Sequence, residues 1–381
     1  FLFIYFTVKL ETISNWSPYG GMQKKFLLRN NLFLRFSDKS RNLNHPRVEA
    51  LIRELSQLMG PGAKTGMFEK MFTDLALIGR ENPDFGDHKL IHKTLRELRE
   101  SLTLFLPFRG KRKVAVFGSS RVSDSHPNYK LAMELAQGLV HQDFQVITGA
   151  GGGIMEAANR GAGREKSFGL NIKLPSEQSP NPYIDNDPHL MKFKYFFTRK
   201  LMFIKESSAT VLLPGGFGTL DEGFENLTLF QTGKCMPRPI VLLDHKDDNY
   251  WDRWMDFIGS VIVEQGFASK NDLSLVYRAR SAQEAIERIL NYYKVFHSLR
   301  YVGDLTVLRL TNPLSPDFVK GLNTEFQDII VKGSLQPTPP HKQELRNNEF
   351  PELPRLSFYF DKSSFGMLNQ LIQAVNQIQP S

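Results

Sequence analysis

Short apolar runs alternate with longer segments of helical periodicity through the middle of the chain. Residues 114–117, 144–148 and 209–213 have the aliphatic and aromatic composition of buried strands. After the third run, apolar residues recur at three- and four-residue spacing from 220 to 230, which is typical of a helix. The alternation from 114 to 293 predicts an α/β fold. The predicted fold is a Rossmann-like, doubly wound, mostly parallel sheet flanked by helices, and a ligand site is expected at the carboxyl ends of its strands.

The segments on either side of this region have a different organisation. Residues 44–104 contain amphipathic helical patterns, the first with Pro46 at its first turn, whereas the stretch 60–86 shows no clear periodicity. Toward the C-terminus the patterns predict a strand at 305–310, a helix after Pro316 and a Pro-rich loop at 336–354. A strand at 355–360 and a helix from Ser364 follow. The chain is therefore predicted to have four parts: an extended or disordered leader (1–43), a helical segment (44–108), an α/β domain (109–297) and a small α+β domain (298–381).

A glycine-rich run, PGGFGTLDE at residues 214–222, joins the strand at 209–213 to the helix that follows. Glycines let the backbone approach a ligand, and Gly216 or Gly218 can adopt a positive φ at little cost. Free N–H groups and the positive end of the helix dipole favour a phosphate at this turn. Thr219 is the expected N-cap. Glu222 is either the capping-box partner of Thr219 or a carboxylate that faces the ligand.

A second glycine cluster, GAGGGIMEAANRGA at residues 149–162, follows the strand at 144–148. Three successive glycines are more than a plain turn needs, so they indicate close approach of a ligand. Neither cluster has the P-loop spacing G-x-x-x-x-G-K-S/T or the dinucleotide spacing G-x-G-x-x-G. The sequence therefore predicts a nucleotide site that supports neither ATP hydrolysis nor dinucleotide redox chemistry.

The pattern P-G-G-x-G-T-x-x-E is the signature of the LOG ("Lonely Guy") family, and residues 113–294 resemble this family over about half of the chain. The run GSSR at 118–121 is similar to the family's first-strand turn, and FFTRKLM at 196–202 to its Arg-Lys helix. The family consists of phosphoribohydrolases that act on cytokinin riboside 5′-monophosphates, AMP and related nucleotides, and it was often mislabelled as lysine decarboxylases. The flanking segments resemble those of its longer bacterial members.

The resemblance implies an active site, a homodimer with active sites near the shared interface, and no cofactor or metal. It pairs Arg199 with Glu222 as catalytic residues. Glu156 is expected either to touch the base or to support its helix. The residues expected to bind the substrate are Gly118, Ser119, Gly151, Gly152, Gly153, Met155, Glu156, Lys200, Pro214, Gly215, Gly216, Phe217, Gly218 and Thr219.

The implied reaction explains why these residue types are needed. Cleavage between ribose and base passes through a sugar cation, and a carboxylate beside the ring stabilises that charge, holds ribose hydroxyls and orients water. We expect Glu222 to do this. Arg199 stays charged near neutral pH, so it is expected to fix either the phosphate or the departing base. The base preference does not follow from these residues.

Composition and charge leave two alternatives to hydrolysis. The single Cys235 excludes an internal disulfide and suits the cytoplasm, and no apolar run reaches the length of a membrane span. The net charge of +8 and the basic cluster 109–113 fit a solvated surface or contacts with single-stranded nucleic acid. The chain could also be a non-catalytic nucleotide or molybdenum-cofactor carrier or sensor on the same fold, although a carrier has no need of Glu222.

Overall fold

A computed structural model of the chain describes residues 43, 45–60, 63–81, 83–175, 179–346 and 348–378. The predicted leader lies outside the described residues apart from Leu43. The chain divides into two compact units, with the boundary between Ile91 and His92. Within the described residues, no helix combines the length and the apolar content needed to cross a membrane.

The first unit is helical. It contains α1 (Pro46–Met59), α2 (Ala63–Glu81) and the start of α3 (Phe85–Phe105). Helix α2 occupies most of the stretch 60–86, where no clear periodicity was found in the sequence. Its internal Gly66 and Gly79 are poor helix formers, which explains why composition alone did not predict a helix.

The second unit contains a sheet of seven parallel strands, in the order β4-β3-β2-β1-β5-β6-β7. This arrangement confirms the predicted α/β fold. The strands are β1 (Lys113–Phe117), β2 (Gln145–Thr148), β3 (Ser167–Ile172), β4 (Leu190–Phe193), β5 (Ala209–Leu212), β6 (Ile240–Leu243) and β7 (Val276–Ala279).

Helices cover both faces of this sheet, because alternate strand residues point to opposite sides. In β1, Val114 and Val116 pack with α4, α5 and α9, whereas Ala115 and Phe117 pack with the end of α3 and with α6, α7 and α8. These helices are α4 (Pro127–His141), α5 (Ile154–Ala162), α6 (Phe196–Glu206), α7 (Phe217–Gln231), α8 (Tyr250–Phe257) and α9 (Ala282–Tyr292). Between α8 and β7 the chain forms a π-helical turn (Ile258–Val263) and a 3₁₀ helix (Lys270–Leu275).

An antiparallel sheet in the order β10-β11-β9-β8 forms the centre of the C-terminal part, so the predicted strand–helix mixture is present. Strand β8 begins before the predicted domain limit at 297. The loop predicted at 336–354 contains a short helix, and β8 and β10 were not expected. The elements are β8 (Phe296–Val302), β9 (Leu305–Leu310), α10 (Pro316–Glu325), β10 (Ile330–Pro337), α11 (Lys342–Arg346), β11 (Arg355–Phe360) and α12 (Phe365–Asn376).

Helix α12 packs closely against the large sheet's own domain. Gly233, which follows α7 and has φ +66°, lies under the ring of Phe365. A Cβ on Gly366 would lie 2.3 Å from the carbonyl oxygen of Asn271, so only glycine fits there. The side-chain amide of Asn369 donates to the carbonyl of Ser274 over 2.7 Å. The C-terminal helix is therefore part of the packing of the seven-stranded domain.

Candidate active site

A cavity of about 820 Å³ opens at the carboxyl edge of the seven-stranded sheet. Its walls come from the loops after β1, β2, β3 and β5 and from helix α6. Strand β1 lies between β2 and β5, and the strand order runs outward from it in both directions. The loops after β1 and β5 therefore diverge at the topological switch point, where ligands of doubly wound sheets bind.

The loop after β5 presents the N-terminus of α7 to the cavity. The helix begins at Phe217 with Gly216 as its N-cap, so the expectation of Thr219 as N-cap is wrong: Thr219 lies inside the first turn. The capping-box explanation of Glu222 fails with it. Gly216 has φ −89°, and neither Gly216 nor Gly218 lies at positive φ, so the turn does not use that freedom of glycine. The N–H of Thr219 donates to the carbonyl of Gly216 over 3.0 Å, so the N–H groups available to an anion are those that precede Thr219 in the first turn.

Close packing explains the first glycine of this loop. A Cβ on Gly215 would lie 2.2 Å from Oγ1 of Thr219 and 2.9 Å from the backbone nitrogen of Ser119. That nitrogen donates to the carbonyl of Pro214 over 3.0 Å, which joins the loops after β1 and β5. The hydroxyl of Tyr250 donates to the carbonyl of Gly215 over 2.7 Å. Gly215 is thus needed for the contact between the two loops.

In the second glycine cluster, Gly151 lines the cavity, whereas Gly153 serves packing. Gly153 has φ +62°, and a Cβ there would lie 2.3 Å from the carbonyl oxygen of Ser119. The next residue, Ile154, donates its N–H to the same carbonyl over 3.0 Å. Ala150, at a position where the family commonly has glycine, also adopts positive φ, at 59°.

A buried hydrogen-bond network that the sequence did not predict supports this cluster. The side-chain amide of Asn181 donates to the carbonyl of Gly151 over 3.0 Å and to Oδ1 of Asn159 over 2.9 Å. Oδ1 of Asn159 also accepts a hydrogen bond from the hydroxyl of Thr148 over 2.8 Å. The position of the glycine turn is therefore fixed by side chains from β2, α5 and the loop after β3.

Arg199 and Glu222 lie together at the cavity wall. Arg199, on α6, places Nη2 3.6 Å from Oε1 of Glu222, which lies one turn inside α7 and is 3% exposed. At 3.6 Å this is an ion pair without a hydrogen bond. Oε2 of Glu222 and Nε of Arg199 are buried and have no hydrogen-bond partner. Such atoms are free to bind a polar ligand.

Lys200 faces carboxylates. Its Nζ lies 3.0 Å from Oδ2 of Asp221, 2.9 Å from Oε2 of Glu225 and 3.6 Å from Oε2 of Glu222. It does not line the cavity. Burial lowers the pKa of Lys200, but the three carboxylates outweigh burial and the net shift is upward. Lys200 is therefore a cation beside Glu222, and the structure does not bring it to the cavity wall as expected of a substrate ligand.

Burial raises the pKa of Glu222 to about 7, opposed by Lys200 and Arg199 and assisted by the negative charges of Glu225 and Asp221. Burial also lowers the pKa of Arg199, against the pull of the same carboxylates. A carboxyl group with a pKa near neutrality can both accept and return a proton at physiological pH. The arrangement is thus suited to acid–base chemistry as well as to stabilising a cation.

Comparisons with known proteins find similarity to the region of the chain that carries this site. Residues 154–289 match the family described as "Possible lysine decarboxylase". A cytokinin riboside 5′-monophosphate phosphoribohydrolase of Arabidopsis thaliana (LOG3) is 27% identical over 186 residues, 48% of this chain and 83% of the relative. A probable enzyme of the same name from Oryza sativa subsp. japonica (LOGL5) is 28% identical over 209 residues, 54% of this chain and 79% of the relative. Over this region the α/β domain is similar to the LOG family, and it is named the LOG domain for that similarity.

Solved structures are also similar to the LOG domain. The molybdenum cofactor binding protein of Rippkaea orientalis is 22% identical and has a TM-score of 0.35, covering 47% of this chain and 95% of its own. DNA processing protein A of Streptococcus pneumoniae is 14% identical, with a TM-score of 0.32 and coverage of 69% and 92%.

A buried carboxylate positions the Arg-Lys helix of the LOG domain. Glu97, on α3, is fully buried and accepts a hydrogen bond from the backbone N–H of Lys194 over 2.7 Å and another from the hydroxyl of Thr198. Helix α6 begins at Phe196, and its N-cap Tyr195 makes no side-chain cap. Glu97 therefore fixes the first turn of α6, and with it the position of Arg199.

Most of the predicted site residues line the cavity of the LOG domain, and five do not. Glu156 accepts a hydrogen bond from the hydroxyl of Tyr129 over 3.1 Å, which is the supporting role that the sequence left open. The predicted residues on the wall are Gly118, Ser119, Gly151, Met155, Arg199, Gly215, Gly216, Phe217, Gly218, Thr219 and Glu222. Those off the wall are Gly152, Gly153, Glu156, Lys200 and Pro214.

Sequence reasoning missed the wall formed by β3 and α6. Its apolar members are Ile172, Leu174 and Phe196, and its amide is Asn171, whose Nδ2 lies 3.4 Å from the carbonyl of Gly149. The available signal was the apolar run at 168–172, which reads as a strand and carries one amide at its carboxyl end. The other missed lining residues are Phe117, Ser120, Arg121, Gly149, Phe203 and Leu220.

The basic cluster at 109–113 is only partly the solvated surface that was expected, since Arg109 and Lys111 are exposed but Arg112 and Lys113 are not. Lys113 is 2% exposed and donates to the carbonyls of Phe108 and Lys111 over 2.7 and 3.0 Å. The guanidinium of Arg112 stacks 3.6 Å from the ring centroid of Tyr293, and burial lowers its pKa. These two cations are engaged in packing, which removes much of the basis for a nucleic-acid contact here.

Proposed function

We propose that the LOG domain hydrolyses the N-glycosidic bond of a nucleoside 5′-monophosphate to release the free base and ribose 5-phosphate. The observation that carries this proposal is Glu222. Its buried carboxylate, with one unpartnered oxygen, lies a single turn from a helix N-terminus suited to phosphate. A ligand that contacts both groups would present a sugar ring to the carboxylate. The activity printed in the names of the plant relatives supports this proposal.

In the proposed reaction the bond between C1′ of the ribose and the base nitrogen breaks, and its electron pair leaves with the base. The base takes up a proton from solvent, and a water oxygen forms the new bond to C1′. Glu222 stabilises the cationic sugar and accepts a proton from the attacking water. Arg199 supplies positive charge beside the departing base or the phosphate. The reaction needs no cofactor or metal.

The cavity wall assigns separate parts to the substrate. The N-terminus of α7, with Ser119 and Thr219, is proposed to hold the 5′-phosphate. The wall formed by Asn171 and the apolar side chains beside it is proposed to hold the base, because a flat, mostly apolar group suits it. AMP, a cytokinin riboside monophosphate and other nucleoside monophosphates share the ribose phosphate that the first group would bind.

We also infer that the protein acts as a homodimer whose interface borders the cavity. On α6, Phe197 and Leu201 are 49% and 50% exposed, and Phe217, at the start of α7, is 93% exposed. Apolar side chains exposed together beside a cavity are typical of an interaction surface. A second copy of this chain is the partner that the family resemblance implies.

The decisive experiment incubates the purified protein with a panel of nucleoside monophosphates and separates the free bases by chromatography. The Glu222→Gln variant is the matched control, since it keeps the phosphate site and loses the ionisable carboxyl. Base and ribose 5-phosphate released by the wild type alone would establish the hydrolase and rank its substrates. Tight binding of one nucleotide without release would contradict the proposal and indicate a carrier or sensor.

A further inference from the structure

We propose that Asp221 and Glu225 hold the ammonium of Lys200 away from Glu222, so that one carboxylate oxygen of Glu222 stays free for the substrate. Lys200 and Glu225 are then positioning residues of the active site. This inference rests on the proposed function, in which Glu222 contacts the ribose and the attacking water. It assigns to Lys200 a role other than substrate binding.

The distances around Lys200 carry the inference. Its Nζ makes contacts of 2.9 Å with Glu225 and 3.0 Å with Asp221, and stays 3.6 Å from Oε2 of Glu222. The first two are hydrogen-bonding distances, and the third is too long for a hydrogen bond. Glu225 is four positions from Asp221 and three from Glu222, so it neighbours both on the surface of α7, and the Nζ of Lys200 lies within 3.6 Å of all three carboxylates. Two of the three carboxylates therefore hold the ammonium.

The same separation exists on the other side of Glu222. Arg199 lies 3.6 Å from Oε1, so both cations of α6 lower the electrostatic cost of a buried carboxylate without forming hydrogen bonds to it. Glu222 is 3% exposed, and its Oε2 has no hydrogen-bond partner. The charged groups that face Glu222 are Arg199 and Lys200 from α6, and Asp221 and Glu225 from α7.

Removing either member of the pair has opposite consequences for Glu222. In Glu225→Gln a negative charge is lost and the 2.9 Å ion pair of Lys200 is replaced by a weaker hydrogen bond to a neutral amide, so the ammonium is drawn toward Glu222. The ionised form of Glu222 then becomes more favourable, and Oε2 of Glu222 accepts a hydrogen bond from Lys200 and is no longer free for the substrate. In Lys200→Met the carboxylate loses a cation, and its ionised form becomes less favourable. Simple damage to the site would not produce opposite effects.

The test is the pH dependence of kcat/KM and kcat for wild type, Glu225→Gln and Lys200→Met. We expect the acid limb of kcat/KM to move to lower pH in Glu225→Gln and to higher pH in Lys200→Met. At high pH, kcat of Glu225→Gln should fall about tenfold with little change in KM, since the lost free oxygen acts in the transition state. Lys200→Arg should restore the wild-type limb if Lys200→Met folds poorly. Lys205→Met, on the same helix, is the control and should leave both parameters unchanged.

The inference would be overturned if the acid limbs of kcat/KM moved in the same direction in Glu225→Gln and Lys200→Met. It would also be overturned if the limbs did not move in variants that still cleave nucleotide. The ionisation of Glu222 can also be followed without turnover. The pH dependence of stability is measured for each variant against the same variant carrying Glu222→Gln. The wild type could cleave no nucleotide while the pH dependence of stability still shifts in opposite directions in the two variants. That result would refute the proposed function and support the proposed arrangement of Lys200.

Discussion

At the scale of single residues, Glu222 combines burial with incomplete pairing. Two cations lie 3.6 Å from its carboxylate, and neither donates a hydrogen bond to it. Burial therefore dominates and raises its pKa to about 7. A carboxyl that ionises near neutrality gives up stability in exchange for reactivity, as groups at functional sites do.

The activity of the free enzyme should follow this ionisation. The proposed reaction uses the carboxylate form, so kcat/KM should rise as the pH increases through about 7, the pKa of Glu222. The measurement is the pH–rate profile with the best nucleotide at subsaturating concentration. A profile that is flat between about pH 5 and 8 would contradict the assignment of Glu222 as the ionising group.

The raised pKa of Glu222 should also make the stability of the folded protein depend on pH. The pKa of Glu222 is raised from 4.5 to about 7, so the folded state holds the proton more tightly than the unfolded state. The stability contributed by the protonated carboxyl is complete below about pH 4.5 and is lost as the pH rises to about 7. Relative to wild type, Glu222→Gln should therefore gain about 3 kcal/mol between about pH 4 and 8. Denaturant unfolding at both pH values measures this, with Glu134→Gln, at an exposed position of α4, as the control.

The glycines of the α7 turn should differ in their tolerance of a methyl group. Gly215→Ala places Cβ 2.2 Å from Thr219 Oγ1, whereas Gly216→Ala meets nothing within 4 Å and keeps an ordinary φ of −89°. Gly215→Ala should lower the free energy of unfolding by about 1–3 kcal/mol, and Gly216→Ala should leave it nearly unchanged. Equal effects in denaturant unfolding would show that the close contact between the two loops does not matter to stability.

At the scale of elements, the helices of the site are positioned by buried polar side chains. The amide of Asn226 donates to the carbonyl of Glu222 over 2.8 Å, and its oxygen accepts from Arg238 over 2.7 Å, which fixes α7. Glu97 does the same for α6 by binding Lys194 N–H and Thr198. Glu97 thus acts on α6 from a distant part of the sequence, whereas Arg238 holds α7 through Asn226 from only twelve residues away.

Removing the anchor of α6 should lower both stability and activity. Glu97→Ala leaves the N–H of Lys194 without its acceptor and leaves the hydroxyl of Thr198 only the carbonyl of Tyr195, so we expect a loss of about 2–3 kcal/mol of unfolding free energy. Nucleotide cleavage should fall as well, because Arg199 follows directly in this turn. Thermal unfolding and base release measure the two effects. Glu100→Ala, on the exposed side of the same helix, is the control, and an equal loss there would refute the role of Glu97.

The difference between what the sequence predicted and what it missed also belongs to this scale. Residues 214–222 carry their own signal, since a buried strand, glycines and a helix follow one another there. The partnership of Arg199 and Glu222 came from the resemblance and needed no geometry. By contrast, Glu97 and Asn181 act across gaps of about 100 and 30 residues, and only the packed fold brings them to their partners. The N-cap of α7 was misplaced because a glycine cap leaves no side-chain signature.

At the scale of the whole molecule, a second copy of the chain is expected to cover the apolar side chains beside the cavity. Leu201→Glu places a charge at a half-exposed position, so it should disturb the dimer and preserve the fold. Light scattering after size-exclusion chromatography should show the change from dimer to monomer. Val331→Glu, at an exposed apolar position of β10, is the control. A wild type that is monomeric would refute the dimer.

The packing of α12 on Gly233, Asn271 and Ser274 has a consequence for biosynthesis. Domains generally fold as their residues emerge from the ribosome, N-terminal parts first. Here the seven strands have emerged by Ala279, whereas α12, which packs on Gly233 and is hydrogen-bonded to Ser274, ends at Asn376. The nascent chain must carry an incomplete LOG domain through the synthesis of nearly a hundred further residues. A messenger truncated before α12 would therefore yield a protein that contains every catalytic candidate and lacks the last part of their supporting structure.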